Sequence, residues 1–340
     1  MAEKSGKRMF TVDKFLGINE SADGLTELGM GEASRMENFF VTDAYNLMVR
    51  PGIQRVDAQG QRTAATILAT WAGHIGEQEN EELDDEYLVV VDFDSGTDRI
   101  FLYRMNEDNQ IAAFKEQRGA LGLTKVQNAY VKIFPFGGKI YIMSAGNTVY
   151  FDGGEFKTAQ PYIPLVIAGA EPASGSGTTL ENLNLMTGKR RIDYSADGTE
   201  KVYQLPGEAK SVVKIVIDNV EQTVADAGTF SANAHTFTFN TAPVKGVGNV
   251  EITYDTDGQV AEANRMRIVK MALTEAYNGS TDTRLFVAGD GSNICYYSGV
   301  TQDGEATPMY FPAMNEIAVD MTSAAVTGLV RHNSKLLVCT

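Results

Sequence analysis

The sequence predicts an all-β architecture, propeller-like and interrupted once by a second β module. Three observations carry this reading: short strands that recur, the even spacing of most recurrences, and a composition change where the spacing breaks. The recurring strands are Tyr87–Val91, Lys139–Met143, Arg284–Ala288 and Lys335–Cys339. All are rich in β-branched and aromatic residues, the types that fit a pleated, half-buried surface. The first three are each followed by turn residues and a second aromatic strand: Ile100–Tyr103, Thr148–Phe151 and Ile294–Tyr297. The predicted unit is therefore a β-hairpin.

The first two strands start 52 residues apart and the last two 51 apart, whereas the middle pair is separated by 145. Excising about 93 residues, 170–262, restores a period near 50, which suits propeller blades that hide an apolar face only against their neighbours. An ordinary β-sandwich with chance spacing is the competing reading. The excised block opens on Ala170–Gly177, AEPASGSG, a flexible-linker composition. It continues with candidate strands at Lys201–Leu205, Ser211–Asp218, Thr236–Phe239 and Val250–Tyr254. The last two alternate apolar with polar residues, as in a half-buried antiparallel strand. The block reads as a small β-sandwich inserted into a loop.

The expected organisation is an N-terminal arm over 1–60, body over 61–169, insert over 170–262 and body again over 263–340. In the arm, Met30–Asn38 suits a short helix, and Arg50-Pro51-Gly52 a turn. The chain stops one strand into the fourth repeat, as expected of part of a longer protein.

Composition narrows the function. The 340 residues are 43% hydrophobic and 21% charged, with a formal net charge of −15. A chain so acidic lacks the basic footprint that nucleic-acid binding requires. The compact basic cluster Lys189-Arg190-Arg191 reads as a solvated loop edge. An acidic surface repels DNA and lets it slide past. Two cysteines, Cys295 and Cys339, both fall in predicted strands and read as small buried hydrophobes, suited to a reducing compartment. The N-terminus has no apolar signal core, and no run reaches the ~18 residues of a membrane helix.

No catalytic constellation emerges. The three histidines, His74, His235 and His332, lack metal-ligand spacing. A His332–Cys339 pair is set aside because Cys339 reads as inward-facing. Gly175-Ser176-Gly177 lacks the lysine of a phosphate loop. Asp92, Asp94 and Asp98 alternate around Gly96, which reads first as a solvated turn, with a weak Ca²⁺ site as the alternative. Glu77–Glu86 carries seven acids, which suits a self-repelling loop or a contact for a basic partner. Tyr141, Tyr150, Phe151, Tyr296 and Tyr297 read as core, with stacking on sugars as the alternative. No cofactor is expected.

A family resemblance joins these features. Phe15–Glu20 (FLGINE), Gly31–Phe39 (GEASRMENF) and Arg50-Pro51-Gly52 resemble the start of tailed-bacteriophage virion proteins, in which such an arm precedes a β-propeller body. Tyr277–Gly289 and Val326–Leu329 resemble their blade sequences, and the insert is similar to the immunoglobulin-like modules of phage structural proteins. The resemblance implies a non-enzymatic role in the neck, the tail nozzle or a head-completion, DNA-stabilising plug. It implies homo-oligomeric rings around a DNA channel, contacts with other phage structural proteins, synthesis in the bacterial host cytoplasm and residence in the virion. The alternatives are a carbohydrate-binding or glycoside-hydrolysing tail propeller, which would need two carboxylates across a sugar, and a non-viral protein-interaction propeller.

Overall fold

The computed structural model describes residues 14–19, 29–33, 35–37, 39–42, 44–49, 65–75, 85–105, 111–126, 130–278, 283–319, 323–332 and 335–340. The chain divides into two compact units, Met1–Asp57 and Ala58–Thr340.

The first unit holds β1 (Gly17–Ile18), β2 (Glu32–Ala33), β3 (Phe39–Val41) and β4 (Leu47–Val49). β1 pairs in parallel with β2, and β3 antiparallel with β4. The helix expected over Met30–Asn38 is not formed. Met30 and Gly31 make a turn, and Glu32–Ala33 is extended. The cause is local: Gly31 adopts φ +96° against the backbone of Lys14, where a side chain would clash. Arg50-Pro51-Gly52 lies outside the described residues.

The second unit is predominantly β, made of open, mostly antiparallel sheets. Its first sheet runs β5 (Thr66–Ile75), β6 (Asp85–Asp94), β7 (Thr97–Met105), β8 (Ile111–Arg118) in simple neighbour order. Its second is built the same way from β9 (Lys132–Phe136), β10 (Lys139–Met143), β11 (Thr148–Phe151) and β12 (Phe156–Ala159). Two-residue turns explain the tight hairpins. Ser95-Gly96 and Gly137-Gly138 take positive φ at both positions, as the strand twist demands.

The insert follows. Its larger sheet joins β13 (Leu165–Ala170), β14 (Thr178–Thr179), β15 (Arg190–Tyr194), β17 (Ser211–Ile217), β18 (Val220–Gln222) and β21 (Val250–Asp255). Its smaller sheet joins β16 (Val202–Gln204), β19 (Gly228–Ser231) and β20 (Thr236–Phe239), with the single-turn α1 (Val224–Ala227) between the two. Tyr194, Tyr203, Phe237, Ile252 and Tyr254, all fully buried, form the core between these sheets.

The segment expected to be a flexible linker is a tight turn. Gly175 N donates to Glu171 O at 2.8 Å, and Gln204 N donates to Pro172 O at 2.8 Å. Gly177 packs so closely that a Cβ would lie 2.7 Å from Ala168 O. Glycine here serves close approach, not flexibility.

The chain returns through α2 (Gly258–Lys270) to a third four-stranded sheet, β22 (Leu273–Asn278), β23 (Thr283–Ala288), β24 (Ile294–Tyr297) and β25 (Glu316–Ala318). α2 was not anticipated. Asp257 caps it by accepting from Gln259 N at 3.0 Å, and only Ile268 and Val269 are buried, too few for a clear amphipathic stripe. Lys132 Nζ donates to Ile268 O at 3.2 Å in the helix's last turn. Burial pulls that amine down to about 7. The fourth unit holds two strands rather than one, β26 (Gly328–His332) paired with β27 (Lys335–Cys339).

The four sheets pack face on face in chain order. Tyr87, Val89 and Val91 of β6 meet Ile140 and Ile142 of β10. The alternate residues of β10, Tyr141 and Met143, meet Leu285 and Val287 of β23. The other face of the third sheet, with Ala288 and Cys295, meets Leu329 and Val338 of the last hairpin. The first strands also touch in series: β5 lies against β9, β9 against β22, and β22 against β26. No described helix is long and apolar enough to cross a membrane.

The two thiols differ, contrary to the expectation that both face inward. Cys295 is buried and its thiol is pushed up to about 11, whereas Cys339 is exposed. Under native conditions one thiol is expected to react promptly with Ellman's reagent, and the second only on unfolding.

Candidate functional site: the seam between insert and body

The structure disperses most sequence-predicted site residues. Asp92 and Asp94 share one face of the first sheet with Arg99. Arg99 Nε and Nη2 reach Asp92 Oδ1 and Oδ2 at 2.8 and 2.9 Å, and Nη1 reaches Asp94 at 2.9 Å. The hydrogen bonds to Asp92 raise the affinity of Arg99 for its proton. Asp98 lies on the opposite face, where its carboxylate accepts Leu121 N at 2.9 Å and Leu123 N at 3.0 Å. The three carboxylates therefore do not converge. Among the described residues, no group of three His, Cys, Asp or Glu could hold a metal ion.

Of the basic cluster, Lys189 is an exposed loop residue as expected, but the two arginines are not a solvated loop edge. Arg190 and Arg191 open β15 inside the larger sheet of the insert and pair with Glu208 and Glu251. Tyr141, Phe151 and Tyr296 are buried, while Tyr150 and Tyr297 are half-buried, with Lys139 4.9 Å over the Tyr150 ring. His332 pairs with Lys335 and Cys339 with Gly328, at opposite ends of one hairpin. His235 takes φ +51° at the turn before β20, and His74 lies on β5 opposite Glu86. Most of the acidic run Glu77–Glu86, namely 77–84, lies outside the described residues.

What the structure gathers instead is a polar seam joining insert to body. Residues 180–186 run beside 309–313. Leu185 N donates to Phe311 O and Ala313 N to Leu183 O, each at 2.8 Å. At its centre the buried Asn184 uses its whole amide. Nδ2 donates to Tyr162 O at 2.7 Å and Met309 O at 2.8 Å; Oδ1 accepts Met186 N at 3.0 Å and Phe311 N at 2.9 Å. Met186, Met309 and Phe311 pack into the core shared by the second and third sheets. Insert and body thus meet through one saturated amide set on a common core.

A second polar centre lies beside it. Glu181 accepts Tyr162 Oη at 2.9 Å, Leu165 N at 2.6 Å and Gln302 N at 2.9 Å. Arg191 adds Nε to Ile163 O at 2.9 Å and Nη1 to Glu251 at 3.1 Å. Burial, and then the bond to Glu181, push the Tyr162 phenol up to about 12. No local motif marks these residues in sequence. Asn184 and Phe311 are 127 positions apart, and only the fold brings them together.

Next to the seam opens a cleft of 540 Å³, lined among others by Glu181, Asn182, Arg284, Tyr297, Gln302 and Tyr310. Glu181 is its one carboxylate, and three donors already engage it. These bonds tie residues 180–186 to the loop of the third sheet. The chain matches no family model, no curated protein and no solved structure.

Asn184→Ala would strand buried donors and acceptors on both sides of the seam, and is expected to cost about 3 kcal/mol in denaturant unfolding. The Tyr162 phenol ionises later in the folded state than in the unfolded chain. Seam stability is therefore full below pH 10 and lost as pH rises towards about 12. A Tyr162→Phe variant is expected to lose less stability over that window, as measured by thermal melts.

Proposed function

We propose that this chain is a structural subunit of a tailed-bacteriophage particle, in the neck, the tail nozzle or a head-completion, DNA-stabilising position, acting through ring assembly and protein contacts rather than catalysis. On this reading the stacked sheets are propeller blades, and the insert is an immunoglobulin-like sandwich mounted between two of them. The observation that carries the proposal is the serial contact of β5, β9, β22 and β26, the first strands of successive sheets. In a propeller these strands surround the axis. The arm and blade motifs, FLGINE and GEASRMENF among them, supply the link to phage particles.

Other features support the same role. A wall subunit needs rigid, satisfied joints, and the seam around Asn184 and Glu181 is one. Net charge of −15 suits a surface past which DNA slides. Glu181, the carboxylate of the 540 Å³ cleft beside the seam, is committed to structural bonds, which suits a joint.

Sedimentation velocity and negative-stain imaging of the purified protein test the proposal. Closed rings, formed alone or on mixing with tail components, are the expected result. A strict monomer under every condition, accompanied by turnover of an oligosaccharide, would contradict it.

A further inference from the structure

The end of the insert opposite the seam carries exposed apolar side chains. β15 and β21 span the module. Arg191, near one end of β15, is bonded to Ile163 at the seam, and Tyr194 at the other end pairs with Val250 at the start of β21. Three connections meet at that far end: 195–201, the Asp218-Asn219 turn, and 240–249. The last of these carries Val244, 72% exposed, and Val247, 92% exposed. Val220, directly after the Asp218-Asn219 turn, is 59% exposed. They are not overflow from an incomplete interior, since Ile192, Ile215, Val250 and Ile252 fill the module's core.

The loop that carries them is held rigidly. Gly246 N donates to Ala196 O at 3.0 Å and Gly248 N to Ser195 Oγ at 3.2 Å. Asn249 Nδ2 donates to Val244 O at 2.9 Å and to Asp218 Oδ1 at 3.2 Å, while Asn249 Oδ1 accepts Ala196 N at 3.2 Å. Gly248 takes φ +57°, and a Cβ on Gly246 would come within 2.5 Å of the Asn249 side chain. Folding thus fixes two bare valines in place, so little ordering entropy remains to be lost when something covers them.

Charge indicates what covers them. Asp193, Asp197, Glu200 and Asp218 flank the tip, against Lys245 within the loop and Lys201, whose Nζ donates to Asn240 O at 2.9 Å. Backbone N–H groups of Glu200 and Thr199 hold the Asp197 carboxyl below its ordinary range, so it stays ionised. An acidic rim around an apolar centre repels anionic bilayers and nucleic acid, and matches a basic rim around an apolar pocket.

We propose that the 240–249 tip is a docking knob for a different protein that presents an apolar pocket rimmed by lysine or arginine. This inference does not depend on the phage reading.

The test places a photo-crosslinking phenylalanine analogue at Val247 of the full chain, in the cell that produces it, with the analogue at Lys210 as control. The protein captured at Val247 but not at Lys210 is then purified and titrated against wild type, Val247→Asp and Val247→Ile. The expected partner is a single other protein, crosslinked beside Lys or Arg. Val247→Asp is expected to weaken binding about 100-fold and Val247→Ile by no more than about 3-fold. Raising NaCl from about 0.05 to 0.5 M should weaken it about 10-fold. An unchanged melting temperature for Val247→Asp serves as the folding control. Crosslinking to a second copy, to lipid or to nothing beyond control, or an affinity indifferent to Val247→Asp, overturns the proposal.

Discussion

A sheet that is apolar on both faces cannot stand alone in water, and this constraint organises the second unit. In β10, Ile140 and Ile142 point one way and Tyr141 and Met143 the other, and all four are buried. The second sheet must therefore be sandwiched, and it is, between the first sheet and the third. The third repeats the logic with Leu285 and Val287 on one face and Ala288 on the other. Burial of each such side chain contributes on the order of 2 kcal/mol, so separating neighbouring sheets would cost about as much as an ordinary domain's whole stability margin.

The insert interrupts this stack without loosening it. Its strands leave after β12 and return through α2, and both crossings are tied down. Asn184 bonds the outgoing segment to the loop of the third sheet, and Lys132 bonds α2 to β9. Polar groups are suited to such a joint because they specify one geometry, whereas apolar packing alone would tolerate sliding. A rigid joint also gives the far tip of the insert a defined position relative to the sheets, which any role in assembly requires.

Much of the fold was legible because strand signals are local. The hairpin strands at Lys139–Met143, Thr148–Phe151 and Ile294–Tyr297 stand where their aromatic and β-branched residues predict. Each recurrent strand proves to be the second of its sheet, which is why the spacing is even. Where expectation and structure part, one cause recurs: residue type alone does not specify the partner. Gly175 and Gly177 resembled a linker but serve close packing. Arg190 and Arg191 resembled solvated charge but sit opposite Glu208 and Glu251. Asp92 and Asp98 suit a solvated turn, or a weak calcium site, by type alone, but both are buried and satisfy Arg99 and two backbone N–H groups. The seam was invisible because its members lie over a hundred residues apart, and α2 because it buries only two side chains.

Native-state hydrogen exchange resolved by residue tests the stacking most directly. If the sheets stabilise one another face to face, amides of β10 and β23 exchange only through global unfolding, with a common free energy that falls equally when Ile142→Ala opens a cavity between the first and second sheets. Separate free energies for β10 and β23, with β23 indifferent to Ile142→Ala, would mean that the sheets fold independently, and the stacked account would be wrong.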